Sequence, residues 1–558
     1  MKINQMKNRI QLKKVLFFSL CFLLTSIVSA QSLESKIDKI LKAQFKDNES
    51  GVVTLVAKKG NVIYRKAYGK ANLELDVNMK PENVFEVGSI TKQFTAVSIL
   101  MLLEEGKLSL QDDITKFLPD YPTKGKQITV HHLLTHTSGI KSYTSMQKFG
   151  EVTTQDIKPL KFIDFFKNEP MDFEPGDNYK YNNSGYFILG YIIEKVSGMS
   201  YPKFIEERIF KKLNMNSSYY GSHTRLIKNR ATGYQKRNGA FVNAQYISMS
   251  LPYAAGSIMS NVDDMLRWQT AIRNNTLVKK ETIDKAFTNY TLNNGKEINY
   301  GYGWSLNEIN GVQTIEHGGA IPGYKSMGVY VPNEDVYVIV FSNCGCKSPT
   351  DLAIKIAGLA IDKPFTVAES SFSISKEELN KWVGAYEFED GAVRFITLKG
   401  NQLYSQREGS SSSFKMYPTS PNNFSFEDGF YTYKFSEKQG KKTAVFQNRI
   451  NKEIGVFTDK EAPKEKKEIS VAQEVLKRYE GKYELQPGFV ITVTSKESKL
   501  FAQATGQPQF QLFAEAQTKF FLKVVQASIE FHQDDKGNTH SLTLYQGGRE
   551  MKGVKQPN

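Results

Sequence analysis

The chain has 558 residues, and its 73 basic and 58 acidic side chains leave a net charge of +15. A hydrophobic content of 40% with 12% aromatic residues excludes wholesale disorder, and the length predicts three or four domains. Three cysteines are too few for a disulfide scaffold, and past the N-terminus no apolar run approaches the ~18 residues that would suggest a polytopic membrane protein.

The first element is an address. Lys2, Lys7, Arg9, Lys13 and Lys14 precede a mostly apolar run from Val15 to Ser29, and the small residues Val28 and Ala30 stand just before Gln31. The pattern predicts a secretory signal over residues 1–30, cut before Gln31; the apolar run is short for an uncleaved anchor. The mature chain is then expected to be periplasmic or secreted, with no stable membrane span. Loss of five basic residues leaves it near +10 with neither half strongly biased, which fits solubility or attraction to anionic surfaces better than nucleic-acid binding. Cys21 leaves with the signal. Cys344 and Cys346, one residue apart, are expected to be core thiols rather than a bridge.

Next come two β-type runs, Gly51 to Lys58 and Asn61 to Tyr68, around the turn Lys59-Gly60-Asn61. Ser89 to Glu104 has helical periodicity, with Phe94, Val97, Ser98, Met101 and Leu102 toward one side. Further helices are predicted near residues 128–136, 161–168, 185–196, 201–213 and 262–273. Strands return at Gln313 to Glu316, Ser326 to Val331 and Val336 to Ser342. Strands flanking a helical middle predict an α+β domain, residues 31–364, whose two ends share one sheet.

After Pro364 alternating strands take over and the sequence repeats itself. Leu379-x-x-Trp382-x-Gly384-x-Tyr386 recurs as Leu476-x-x-Tyr479-x-Gly481-x-Tyr483, and Leu403-Tyr404-x-Gln406 as Leu500-Phe501-x-Gln503. Phe414 to Phe426 matches Phe510 to Leu522 in pattern. Two small tandem β-barrels follow, over residues 372–460 and 470–558, joined by a charged linker at 461–468. Trp382, Tyr386, Tyr404, Phe501 and Phe513 are expected in their cores.

Three motifs carry chemistry. In Ser89-Ile90-Thr91-Lys92, serine and lysine three apart at a helix start share a face, so a neutral Lys92 amine can deprotonate Ser89 for attack on a carbonyl. Bringing a lysine from pKa ~10.4 to ~7 costs on the order of 4–5 kcal/mol, which burial and positive dipoles can supply. In Tyr181-Asn182-Asn183, Tyr181 can relay a proton and the Asn183 amide can orient a substrate carbonyl and hold Lys92; the bland alternative is a loop tyrosine before an Asn-capped helix. In His317-Gly318-Gly319-Ala320 the glycines allow close approach of a substrate backbone, and His317 can hold a carboxylate or meet Tyr181; the bland alternative is a glycine-rich turn with a surface histidine. His131, His132 and His136 lack the glutamate that would complete a metalloprotease motif, so no metal or other cofactor is expected.

Taken in order, Ser-x-x-Lys, Tyr-x-Asn and His-x-Gly resemble the serine β-lactamase and penicillin-binding-protein superfamily, nearest its class C β-lactamase-like branch. His132-Leu133-Leu134-Thr135-His136-Thr137-Ser138-Gly139, Ala255-Gly256 with Asp263-Asp264, and Tyr302-Gly303-Trp304 look like the same family. The resemblance implies a β-lactamase/transpeptidase-like fold and an acyl-enzyme mechanism. Ser89 is then the nucleophile, Lys92 its base and Tyr181 the proton shuttle. Asn183, His317 and Gly319 bind substrate, and the backbone N–H groups of Ser89 and Ala320 form the oxyanion hole. His317 stands where many relatives carry lysine, which favours D-aminopeptidase or D,D-peptidase members over efficient β-lactamases. Glu174 resembles a class A deacylating loop but lacks its companion Ser-Asp-Asn, and is read as a loop residue. The tandem repeats resemble the lipocalin-like barrels of some family members. The expected activity is hydrolysis of small-molecule or short-peptide substrates, most directly D-amino-acid peptides or amides, with carboxylesters and β-lactams as alternatives. A non-catalytic envelope receptor for peptidoglycan fragments or β-lactams, and an adhesion module, are the readings of another class. The segments 141–170 and 220–250 are expected to wall the pocket.

Overall fold

A computed structural model describes residues 33–557 apart from 238, 366–371, 390, 411, 428, 463–467 and 547–548. The signal at 1–30 and the centre of the charged linker lie outside the described residues. The chain divides into two compact units, with the break between Phe365 and Thr366. Among the described residues no helix is long and apolar enough to cross a membrane.

The first unit is built on a six-stranded antiparallel sheet. Strands β1 (Val52–Lys58) and β2 (Asn61–Tyr68) form a hairpin whose turn residues Lys59 and Gly60 both have positive φ, the two-residue turn that matches strand twist. Strands β3 (Ser305–Ile309), β4 (Val312–Ile321), β5 (Tyr324–Val331) and β6 (Val336–Ser342) supply the rest, in the order β3-β4-β5-β6-β1-β2. Val52 pairs with Ser342, so the two ends of the unit share one sheet, as the strand pattern predicts.

Two local expectations change. The strand beginning near Gln313 does not stop at Glu316: β4 runs on through His317-Gly318-Gly319 to Ile321, so these glycines are strand residues, not a turn, and His317 is buried rather than on the surface. Cys344 and Cys346, expected as thiols, are joined by a disulfide; the chain turns at Gly345 and brings their Cα atoms to 5.1 Å, within bridging range.

Five helices matter for the site: α1 (Thr91–Glu104), α2 (Val130–Leu134), α3 (Asn183–Ser197), α4 (Tyr253–Gly256) and α5 (Val262–Arg273). The expected one-sided character of α1 does not hold. Every residue from Thr91 to Leu102 is buried, because α1 runs through the centre of the unit and its non-polar residues cover all faces. Its end is a Schellman motif: Gly106 takes positive φ, Lys107 N–H donates to the Leu102 carbonyl, and Gly106 N–H donates to that of Leu103.

The second unit holds two closed eight-stranded antiparallel barrels, from Gly384–Phe388 to Asn451–Thr458 and from Gly481–Gln486 to Arg549–Lys555. The sequence repeat is a repeat of contacts. Tyr386 OH donates to the Trp382 carbonyl at 3.0 Å, and Tyr483 OH to the Tyr479 carbonyl at 2.8 Å. Trp382 stacks on Phe435, and Tyr479 on Phe531. Trp382 Nε1 donates to the Pro421 carbonyl, and Tyr479 OH to that of Gln517. Tyr404, Phe501 and Phe513 are not core residues. Along each strand their neighbours Leu403 and Ser405, Leu500 and Ala502, and Leu512 and Ala514 point inward, so strand alternation turns the three aromatics outward, where they are half-buried.

Tyr386→Phe and Tyr483→Phe are each expected to cost about 1 kcal/mol, and Trp382→Ala about 3–5 kcal/mol, in urea unfolding of the barrel unit. Equal effects of all three would contradict the assignment of Trp382 to the core.

Candidate active site

The three motifs come from separate stretches of chain and meet in the first unit. Ser89 lies in a 3-10 turn, Gly88–Ile90, that leads directly into α1 and sets Lys92 in the first turn of that helix. Asn182 caps α3 by accepting from Gly185 N–H at 2.8 Å, which makes Asn183 the first residue of the helix. So the bland reading of an Asn cap and the functional reading of Asn183 hold side by side. The segment is pinned from the other side by His136, whose Nδ1 accepts from Asn182 N–H at 3.1 Å and whose ring lies 4.4 Å from that of Tyr181.

Lys92 is fully buried, and its Nζ has three polar neighbours: Asn183 Oδ1 at 2.8 Å, the Ala255 carbonyl at 2.8 Å and Ser89 Oγ at 3.1 Å. The first two can only accept. A neutral amine has two N–H groups and one lone pair; it spends both donors on these oxygens and turns its lone pair to Ser89, whose hydroxyl then donates. Burial without a counter-charge pushes the Lys92 amine well below its ordinary range, in agreement with that count. Asn183 is held in turn by its Nδ2, which donates to Thr144 Oγ1 at 3.2 Å.

Tyr181 faces Ser89. Burial of its hydroxyl raises its pKa, and a hydrogen bond with Ser89 only partly opposes this, so the phenol stays protonated, while the ring is 37% exposed at the cleft mouth. One group near Ser89 is therefore a free base and the other a retained acid.

His317 differs from expectation. Its Nδ1 contacts the Gly318 carbonyl at 2.6 Å and must carry the proton; its Nε2 then accepts from Tyr300 OH at 3.0 Å. Burial above all lowers its pKa to about 3, so the ring is neutral at physiological pH. Tyr181 is not its hydrogen-bond partner; the two rings are 6.0 Å apart. Tyr300, two residues before the Tyr302-Gly303-Trp304 segment, was not singled out by sequence, and neither were the Ala255 carbonyl as an acceptor for Lys92 nor Ser326. Ser326 Oγ donates to the Val87 carbonyl at 2.8 Å and ties β5 to the turn that carries Ser89.

The glycines admit the chain's own backbone. A side-chain carbon on Gly319 would stand 2.0 Å from the Val87 oxygen and 3.0 Å from the Ser89 nitrogen; one on Gly88, whose φ is positive, would stand 2.8 Å from the Ala320 nitrogen. Their absence lets β4 lie against the Ser89 turn and brings the backbones of Ser89 and Ala320 together. The other flagged side chains have local partners: His131 Nδ1 meets Tyr302 OH, His132 Nδ1 accepts from Thr129 N–H, and Glu174 pairs with Lys126.

A cleft of about 250 Å³ opens beside Ser89. Both expected wall segments contribute, with Tyr143 and Phe149 from one and Tyr246 and Ile247 from the other, and Pro252 and Ile321 complete it. A larger open cleft of about 810 Å³, near Gly60, Lys212 and Asp263, includes none of the residues of the Ser-x-x-Lys, Tyr-x-Asn and His-x-Gly motifs.

Gly319→Ala is expected to lower ester or amide hydrolysis at least a hundredfold, because backbone must move to admit the new carbon. Gly318→Ala meets only Met327 Sδ at 3.3 Å and Ser326 O at 3.4 Å and should stay within about threefold of the parent. Similar losses in both would contradict the close approach described above.

The Beta-lactamase family model matches residues 34–359, and a model described as a Domain of unknown function (DUF3471) matches 465–555. A penicillin-binding protein of Bacillus subtilis (strain 168) is 29% identical over 400 residues, covering 66% of this chain and 86% of that protein. The octameric penicillin-binding protein homologue from Pyrococcus abyssi is 29% identical with a TM-score of 0.54, covering 76% of this chain and 99% of that one. The D-amino acid amidase from Ochrobactrum anthropi SV3, 22% identical with a TM-score of 0.51 over 60% of this chain and 98% of its own, shares the fold. The family match spans more than half of the chain, on a fold that two solved relatives share: this protein belongs to the Beta-lactamase family of penicillin-binding-protein-like serine hydrolases.

Proposed function

We propose that the chain is an exported serine hydrolase that forms an acyl-enzyme at Ser89 and acts on D-amino-acid-containing peptides or related amides. The observation that carries this reading is the hydrogen-bond count at Lys92, which leaves one lone pair directed at the Ser89 hydroxyl. The N-terminal pattern supports export, and the resemblance of the His-x-Gly motif to D-aminopeptidase and D,D-peptidase members supports a D-amino-acid substrate.

The steps follow from the protonation states. Ser89 Oγ attacks the substrate carbonyl carbon while its proton passes to Lys92 Nζ. The new ammonium lies 4.8 Å and 5.5 Å from the ring centres of Tyr181 and Tyr186, whose faces favour a cation. The oxyanion falls to the backbone N–H groups of Ser89 and Ala320, a contribution on the order of 3–4 kcal/mol per donor in other hydrolases. Tyr181, held protonated, passes a proton to the leaving nitrogen and is reprotonated from Lys92. Water then takes the place of the leaving group and releases the acid. Asn183 orients the substrate. His317 and Gly319 shape the β4 side of the site, His317 as a neutral ring fixed by Tyr300 and without formal charge.

The test compares D-alanine p-nitroanilide with a short-chain p-nitrophenyl ester. Ser89→Ala and Lys92→Arg are expected to lose at least a thousandfold on both, since a guanidinium does not give up its proton. Tyr181→Phe should lose about a hundredfold or more on the anilide and less on the ester, whose leaving group needs no proton. Ester cleavage alone would favour an esterase; unchanged rates in Ser89→Ala would refute the proposal.

A further inference from the structure

The cleft beside Ser89 is walled by apolar and uncharged groups. Tyr143, Phe149, Tyr246, Ile247, Pro252 and Ile321 line it, and among the described residues no charged side chain does. Three cations near these walls in sequence have acidic partners. Lys141 and Lys180 both pair with Asp172, at 2.9 and 2.7 Å, and Arg230 pairs with Glu86 at 2.8 Å. Lys325 lies opposite Ala320 in the β4–β5 ladder. Its side chain is not among those that line the cleft. His317 is neutral and both its nitrogens are bonded within the protein. Lys92 is neutral and its donors are spent.

A carboxylate brought into this cleft would lose its water and find no cation, which is costly. An apolar side chain would displace water from Phe149, Tyr246 and Ile247 and gain. Resting on the reading of Ser89 as nucleophile, we propose that the site selects uncharged substrates: an apolar or aromatic side chain seated against Tyr246 and Phe149, and a scissile group with no ionised carboxylate beside it. Capped peptides, amides and esters fit this description, and peptides cut next to a free C-terminal carboxylate do not. Tyr246 is the clearest specificity residue, since its ring is 45% exposed, lines the cleft and rests on His223 at 4.5 Å without carrying core structure.

The test is binding to the Ser89→Ala protein, which reads recognition without turnover. N-acetyl-D-phenylalaninamide should bind at least tenfold more tightly than the anion N-acetyl-D-phenylalanine, and at least tenfold more tightly than N-acetyl-D-alaninamide. Tyr246→Ala in the same background should reduce the preference for phenylalanine to less than threefold. Gln245→Lys, an exposed lining position, should raise the affinity of the anion severalfold by supplying the missing charge. Equal or tighter binding of the anion, no binding of either amide, or an unchanged side-chain preference in Tyr246→Ala would each overturn the proposal. Turnover of the amides by the parent protein, lost in Ser89→Ala, reports on the reaction separately, so that failure of the chemistry and failure of the selectivity are distinguishable.

Discussion

A lysine with no counter-ion sits at the centre of this protein, and much of the first unit serves to keep it there. An ammonium in that position would cost several kcal/mol of desolvation with no carboxylate to offset it. The fold instead supplies two acceptors for a neutral amine, one from the first residue of α3 and one from the carbonyl of Ala255 in α4. The first acceptor is itself held in place. Asn182 caps α3, His136 holds Asn182, and Thr144 holds the Asn183 amide.

The rest of the site obeys one electrostatic rule: acids keep their protons and bases stay uncharged. Burial raises the pKa of Tyr181, Tyr186 and Tyr300 and lowers that of His136 and His317. The resting site therefore carries no formal charge on its motif residues. In the proposed reaction, charge arises only when Ser89 attacks, as an oxyanion on one side and an ammonium on the other, with ring faces already beside Lys92. An uncharged substrate is the natural complement of such a site, and this links the selectivity of the cleft to the chemistry at its floor.

The sequence made the one-dimensional features legible and hid those that depend on the third dimension. The Ser89–Lys92 spacing, the Tyr181–Asn183 pair and the tandem repeat are readable because each is a local pattern. The sharing of one sheet by distant strands follows from hydrophobic runs at both ends. Tyr300 and the Ala255 carbonyl are not readable, because a buried tyrosine and a backbone oxygen acquire a role only through what folds against them. His317 misleads for a related reason: a glycine pair in strand β4 looks like a turn until Val87 and Ser89 fill the space above it. Tyr404, Phe501 and Phe513 show the limit of reading by residue type, since strand alternation, not aromatic character, decides which face is core. The disulfide between Cys344 and Cys346 depends on a local turn at Gly345 that their spacing alone does not reveal.

The most direct test of the account is the pH dependence of the acylation step, read as the pre-steady-state burst with a p-nitrophenyl ester. The account predicts one controlling ionisation, that of Lys92, well below the ordinary lysine range of about 10.4, with the burst lost as pH falls through it and no separate inflection from His317 near 6.5. A burst that develops only as pH approaches 10, or one that persists in Lys92→Arg, would contradict the neutral lysine on which the structure is organised.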